Sequence, residues 1–442
     1  DIDVGQNGPV VETFEVRAVP TFLGEVAWDP MAPLNNRSIA VPPLATREVF
    51  VDIDLAAIPP GRHSVTVSVN VGALRSSVEI ALDVLAFEMA GFGAMQMCNW
   101  AKYEGDAVTD LLAHGNNVFI TNLPPATVVE GDSATIEIDI DKLEQFLGQL
   151  AGHEVFLLMS GIPALGVEME SGAYVSRLAV YLGKLFDVLE TNSITDDRVA
   201  LYPHDEPGGH GWDTVNHYIA FARQGLKARP GLKFYVNGGG DLPMFEALGE
   251  VASVWSPSYY MLPEDTPEMR YLRNSGKTLW SYDCGFSYAR PTGANTKTIN
   301  VAGQYRMAAP FGFSFGATGI GYWCYNHGPS MWDPIRSEYP LVYANDDGTH
   351  TTSRRWKAVR EGMEDARILI ALRDKLSDQT IGALARTRIS HLLDESLPVF
   401  ARQSLEDVRI GAARYVLDAT NNDAAVESFR SELLDCVESL VR

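Results

Sequence analysis

Arg198-Val199-Ala200-Leu201-Tyr202-Pro203-His204-Asp205-Glu206-Pro207 opens as an apolar, strand-like run and stops at two adjacent carboxylates and a proline. Pro207 has no N–H for a ladder bond and pushes Glu206 out of the α region, so the strand is expected to end where the acids begin. A helical pattern follows from about 213 to 229. The acids therefore fall where a strand hands over to a loop and a helix, the end at which reacting groups collect in parallel α/β folds. Taken alone, an Asp-Glu pair at such a place also fits a polar loop start or a helix N-cap. The rest of the chain decides between them.

Outward from this stretch, strand patterns at 94–99, 117–122, 154–160, 198–204, 233–237, 253–256, 278–283 and 319–326 alternate with helical patterns at 106–114, 141–152, 174–191, 213–229, 243–248, 267–275, 301–311 and 353–372. Eight strands alternating with eight helices predict an α/β fold, a (β/α)8 TIM barrel over residues 89–375, with an open doubly wound sheet as the alternative. Ahead of it, the runs 10–16, 48–53, 64–69 and 78–84 alternate apolar and polar residues and are punctuated by Pro59-Pro60-Gly61 and Val71-Gly72-Ala73. They predict a small all-β sandwich over 1–88. Residues 376–442 read as a mostly helical extension packed on the barrel. No glycine-rich phosphate loop is present, and Gly238-Gly239-Gly240 after a strand reads as a plain turn.

With 442 residues, 46% hydrophobic and 10% aromatic, the chain has globular composition and room for two domains. A formal charge of −22 argues against nucleic acid and against an anionic membrane surface as partners. No run reaches the roughly 18–20 apolar residues of a transmembrane helix. Asp1-Ile2-Asp3-Val4 shows neither a basic region, an apolar core nor an initiator Met, and is read as the start of a mature or trimmed chain, secreted or periplasmic. Cys98, Cys284, Cys324 and Cys436 match neither a metal motif nor a disulfide framework and are expected to be buried thiols. His204, His210 and His217 could gather, but without metal-ligand spacing, so no metal and no cofactor is expected.

Several strand ends are polar and aromatic although their middles are apolar: Asn99-Trp100, Asn122, His204-Asp205-Glu206, Asn237, Trp255 with Tyr259, Tyr282-Asp283, and Trp323 with Asn326. On one face they would form a bowl of aromatic platforms, amides and carboxylates. Aromatic faces stack on the C–H faces of a pyranose, and amides and carboxylates satisfy its hydroxyls, so a carbohydrate partner is expected. Any one of these aromatics could instead pack under a loop; it is the set at successive strand ends that favours binding.

The acid-pair stretch, Trp280-Ser281-Tyr282-Asp283-Cys284, Tyr305-Arg306-Met307-Ala308-Ala309-Pro310-Phe311-Gly312, Gly319-Ile320-Gly321-Tyr322-Trp323 and Ser353-Arg354-Arg355-Trp356-Lys357-Ala358-Val359-Arg360-Glu361-Gly362-Met363-Glu364-Asp365 together resemble glycoside hydrolase family 123 and its uncharacterised relatives. The resemblance implies a β-sandwich before a catalytic barrel and retaining β-N-acetylgalactosaminidase chemistry with the substrate's acetamido group as nucleophile. Glu206 falls on the general acid/base and Asp205 on the carboxylate that orients the acetamido. His204 has no place in the family pattern. Asp283 adds a carboxylate to the bowl; as a nucleophile paired with Glu206 it would allow an ordinary retaining mechanism on a sugar without an acetamido group, and as a hydrogen-bonding acid it would not. A catalytically silent glycan-binding protein is the reading from another class. The charged residues of 353–372 fall at i, i+3 and i+4 spacings and are expected to be structural, as a solvated face or a lock onto the barrel wall.

Overall fold

A computed structural model describes residues 2–4, 11–22, 24–34, 36–56, 58–129, 135–283, 297, 301–335, 339–401 and 419–441. The fold is mixed α/β, and the chain divides into two compact units. One holds residues 91–287 and 311–327, the other 1–90, 288–310 and 328–442.

In the first unit five parallel strands pair in the order Val199–Tyr202, Phe156–Ser160, Val118–Asn122, Gln96–Asn99, Gly319–Tyr322, and three more in the order Tyr235–Asn237, Val254–Ser256, Thr278–Leu279. These are two separate ladders. Single parallel bridges, Leu201 with Phe234 and Trp280 with Gly319, join each edge of the smaller sheet to an edge of the larger. Every residue of Val199–Tyr202 and of Gly319–Tyr322 is buried, as expected for parallel strands covered on both faces. Helices alternate with the strands, and their starts are written in the sequence. Ser171 accepts from the Tyr174 N–H ahead of Gly172–Thr191, and Asp241 from Met244 ahead of Leu242–Gly249. Thr266 does the same from Met269 ahead of Pro267–Asn274, with Pro267 where its missing N–H costs nothing. A two-stranded sheet, Ala126–Val129 with Thr135–Ile138, was not foreseen.

The second unit holds two antiparallel sheets. Five strands run in the order Tyr343–Ala344, His350–Ser353, Val26–Pro33, Val11–Pro20, Glu48–Ile53, and three in the order Ile2–Val4, Gly61–Val71, Leu74–Val84. Val11 and Val65, one from each sheet, are buried together with Val49, Val51, Ile53, Val67 and Leu82 around them. The helix Arg354–Lys375 belongs to this unit, whereas the sequence assigned it to the barrel segment. Of the two structural roles expected for its charged residues, several take the lock, onto acids of this same unit. Arg355, fully buried, bonds Asp29 Oδ2 through Nε at 3.0 Å, and Tyr343 donates to the same oxygen at 2.7 Å. Lys357 and Arg360 bond Asp52 at 2.8 and 3.0 Å, and Arg306 bonds Asp365 at 2.9 Å and Glu361. Burial pushes the Asp52 carboxyl up, but Lys357 and Arg360 outweigh it and hold the pKa below its ordinary value. No helix among the described residues is long and apolar enough to cross a membrane.

Candidate active site

The strand Val199–Tyr202 ends one residue before Pro203, earlier than the sequence indicated, because Pro203 also lacks a ladder N–H. The chain then turns so that Glu206 takes φ +41°, on the left-handed side of the map rather than the extended region that Pro207 alone would favour. The Glu206 carbonyl accepts the N–H of Gly209 at 2.9 Å, closing the turn. On a regular strand neighbouring side chains diverge; this turn puts the Asp205 carboxylate and the Glu206 backbone N–H on one side chain, Asn237.

Asn237, buried at the end of the next strand, joins them. Its Oδ1 accepts the Glu206 backbone N–H at 2.9 Å and its Nδ2 donates to Asp205 Oδ1 at 2.8 Å. The Tyr202 hydroxyl donates to the same Asp205 oxygen, and the Tyr282 hydroxyl donates to Glu206 Oε1. Burial, the neighbouring Tyr235 and the Asp205 carboxylate push the Tyr202 phenol well above its ordinary pKa, so it stays a donor. Trp100 packs against Tyr282 with ring centroids 5.5 Å apart. Asp205 is exposed and Glu206 half-buried, so a ligand can reach both. Asp205 thus carries two donors on one oxygen. Among the described residues only Tyr282 donates to the Glu206 carboxyl, through Oε1.

His204 lies one residue before the pair and makes a 2.7 Å bond from Nε2 to Nδ1 of His217 on the helix Trp212–Ala228. Burial, then repulsion from His217 and His210, lowers its pKa from 6.5. Among the described residues no group of three or more His, Cys, Asp or Glu is arranged to hold a metal ion.

The other expected site residues divide. Trp323 is exposed and stacked on His327, centroids 5.0 Å apart. Asn122 is exposed at its strand end, and Tyr259, half-buried, packs on Phe311 at 4.5 Å. Asp283 is half-buried, its N–H bonded to Gly321 O at 3.0 Å and its carbonyl to Trp323 N at 2.8 Å. Asn326 clasps the backbone of Lys102, accepting its N–H at 2.7 Å and donating to its carbonyl at 2.9 Å. It ties the loops after the first and last parallel strands together. Asn99 is fully buried on Asn116, 3.0 Å away. Trp255 requires correction: it is fully buried against Phe245, 5.7 Å between rings, because its short strand is covered on both faces. Cys98 and Cys324 are buried, and burial pushes the Cys98 thiol up, away from reactivity. Cys284 lies outside the described residues. Tyr202 was legible as the tyrosine at the end of the quoted run, but its bond to Asp205 was not anticipated, nor was the partnership of His217 with His204.

A cavity of 590 Å³ opens at the other ends of the strands, lined by Gln96, Phe156, Arg198, Thr278 and Thr318. In parallel α/β folds that end serves stability rather than chemistry, and the acids are at the opposite one.

No family model and no curated protein matches the sequence. Among solved structures, a family 123 glycoside hydrolase from Clostridium perfringens, described for glycolipid glycan hydrolysis, is similar with a TM-score of 0.62 at 10% identity, over 97% of this chain and 90% of that one. A family 39 glycoside hydrolase from Bacteroides cellulosilyticus WH2 gives a TM-score of 0.43 at 12% identity, over 82% and 80% of the two chains. A glucosidase from Croceicoccus marinus gives 0.42 at 10% identity, over 64% and 69%. The first likeness shows the fold, the one the sequence resemblance pointed to.

Proposed function

We propose that this protein is a retaining glycoside hydrolase that cleaves β-linked N-acetylhexosaminides, N-acetylgalactosamine favoured, by substrate-assisted catalysis. The observation that carries the reading is the Asp205-Glu206 turn, in which one amide, Asn237, holds the Asp205 carboxylate and the Glu206 backbone while Tyr282 takes the Glu206 carboxyl. We read the parallel strands as a (β/α)8 barrel and the two antiparallel sheets as a β-sandwich preceding it. The substrate class fits a secreted or periplasmic protein.

In this mechanism Glu206 gives its proton to the glycosidic oxygen as the C1–O bond breaks. The substrate's acetamido oxygen attacks C1 from the other face and closes an oxazolinium ring. Asp205, its Oδ1 held by Tyr202 and Asn237, accepts the acetamido N–H and stabilises the positive charge that develops there. Glu206, now a carboxylate, takes a proton from the water that opens the ring, and two inversions at C1 give net retention. Trp323, exposed at the last strand end, is suited to stack on a sugar face, whereas Trp100 backs Tyr282.

The test uses two inhibitors. An N-acetylated thiazoline copies the oxazoline intermediate and is expected to inhibit competitively, with the affinity lost in Asp205→Ala. A 2-fluoro glycoside is expected to leave no adduct. A mass-shifted peptide containing Asp283 after incubation with the fluoro sugar, with the thiazoline inert, would replace this mechanism by a covalent one on a sugar without an acetamido group.

A further inference from the structure

The glycine run 238–240, which the sequence offered only as a turn, lies directly against the acid pair. Gly238 has φ +87°, and a Cβ built on it would stand 2.9 Å from both Cβ and Cγ of Glu206 and 3.0 Å from its Cα. Side-chain carbons do not approach that closely, so a side chain at 238 and Glu206 in its present place exclude each other. The Gly238 backbone cannot easily yield, because its N–H is bonded to Ser256 O on the neighbouring strand at 3.1 Å. The facing turn comes as close. A Cβ on Gly208 would collide with the carbonyl oxygen of Gly239 and lie 3.1 Å from Gly240 Cα. Glu206 itself, a non-glycine residue at φ +41°, sits in a sparsely populated conformation, which persists only where the surroundings over-determine it.

We infer that Gly238 is a positioning residue for Glu206. This rests on the glycosidase reading, in which Glu206 protonates the leaving oxygen. The missing side chain lets the Glu206 turn settle onto the end of the strand Tyr235–Asn237, within reach of both the Asn237 amide and the Tyr282 hydroxyl. A methyl group at 238 forces Glu206 back by about half an ångström or more before ordinary contact is restored. It thereby moves the carboxyl relative to the glycosidic oxygen. Misplacement by about 1 Å can cost on the order of a hundredfold in rate.

The test compares the parent with Gly238→Ala, Gly208→Ala, Gly239→Ala and Glu206→Gln on aryl N-acetylhexosaminides spanning good to poor leaving groups. It reads kcat, KM and the melting temperature of each. Gly238→Ala is expected to lose roughly ten- to a hundredfold in kcat/KM, which reports the leaving-group step alone, on the poorest leaving group and little on the best. The dependence of log kcat/KM on leaving-group pKa should then steepen toward that of Glu206→Gln. Gly239→Ala, whose added carbon meets nothing within 4 Å, is expected to keep the parental dependence. A merely structural effect would lower kcat/KM by one factor across the whole series. If Gly238→Ala does not fold, Gly208→Ala, which presses on the same turn, carries the test. Parental leaving-group dependence in whichever of these two folds overturns the positioning role while leaving the function intact. A parent without turnover, or a Glu206→Gln variant with the parental dependence, overturns the glycosidase reading and this role with it.

Discussion

Asn237→Ala should separate a site organised by that amide from one in which it is incidental. The substitution removes two bonds at once: the 2.8 Å donation to Asp205 Oδ1 and the 2.9 Å acceptance from the Glu206 N–H. A hydrogen bond to a charged group contributes about 1.5–3 kcal/mol and a neutral one about 0.5–1.5 kcal/mol. The two act on one turn and are not additive, so the charged bond sets the scale. At about 1.4 kcal/mol per decade, kcat/KM should fall roughly ten- to a hundredfold. Asn237→Asp is the sharper variant. It keeps an oxygen for the Glu206 N–H but turns a second carboxylate toward Asp205, and its loss should equal or exceed that of alanine. The assay is kcat/KM on an aryl N-acetylhexosaminide, with thiazoline affinity measured alongside, because the lost donor should weaken binding of the oxazoline mimic as well. An alanine variant within threefold of the parent on both measures would refute the reasoning.

Three further outcomes follow from described contacts. Asp29→Ala leaves the Arg355 guanidinium buried without its carboxylate, which should cost about 3–5 kcal/mol in urea unfolding; a loss below about 1 kcal/mol would show that the Pro340 carbonyl and water satisfy the cation. Because the folded pKa of His204 is depressed below 6.5, the unfolded chain binds more protons there, so its contribution to stability is complete above that pH and is lost as pH falls through the lowered value. Urea midpoints measured down from pH 7 should show a dependence that His204→Gln reduces, and an unchanged slope would contradict it. Cys98→Ala and Cys324→Ala should keep turnover, and a chelator should leave it untouched; loss on chelation with recovery on adding metal would count against the reading of the site.

Strand–helix alternation was legible because each parallel strand is an apolar run closed by turn chemistry, and the acid pair because it interrupts such a run at Pro203 and Pro207. Facing direction was less so. Trp255 and Trp323 look alike in sequence, both aromatic at a strand end, yet one is fully buried and the other exposed. On strands covered on both faces the alternation that reveals an inward residue is absent. The charges of Arg354–Lys375 read correctly as structural, but their partners were hidden for a different reason. Helical spacing reports neighbours within a helix, whereas the partners of Arg355, Lys357 and Arg360 are acids more than 300 residues earlier, a separation that no local period records. Gly238 showed itself as a glycine, but neither its φ of +87° nor the approach of Glu206, which both call for one, can be read from the sequence.

Those distant partners bear on how the chain is made. Asp29 meets Arg355 across 326 residues, and the strand Val26–Pro33 gains its outer neighbour only when His350–Ser353 has been synthesised. At about 5–20 residues per second, the ribosome takes roughly 15 s to a minute to cover that interval. Through that time the nascent chain carries an unpaired strand edge and two acids destined for interior ion pairs, a template on which other chains can add strands. Slow stages of translation between residues 91 and 340, and the chaperones that meet the chain there, therefore bear directly on the yield of soluble protein.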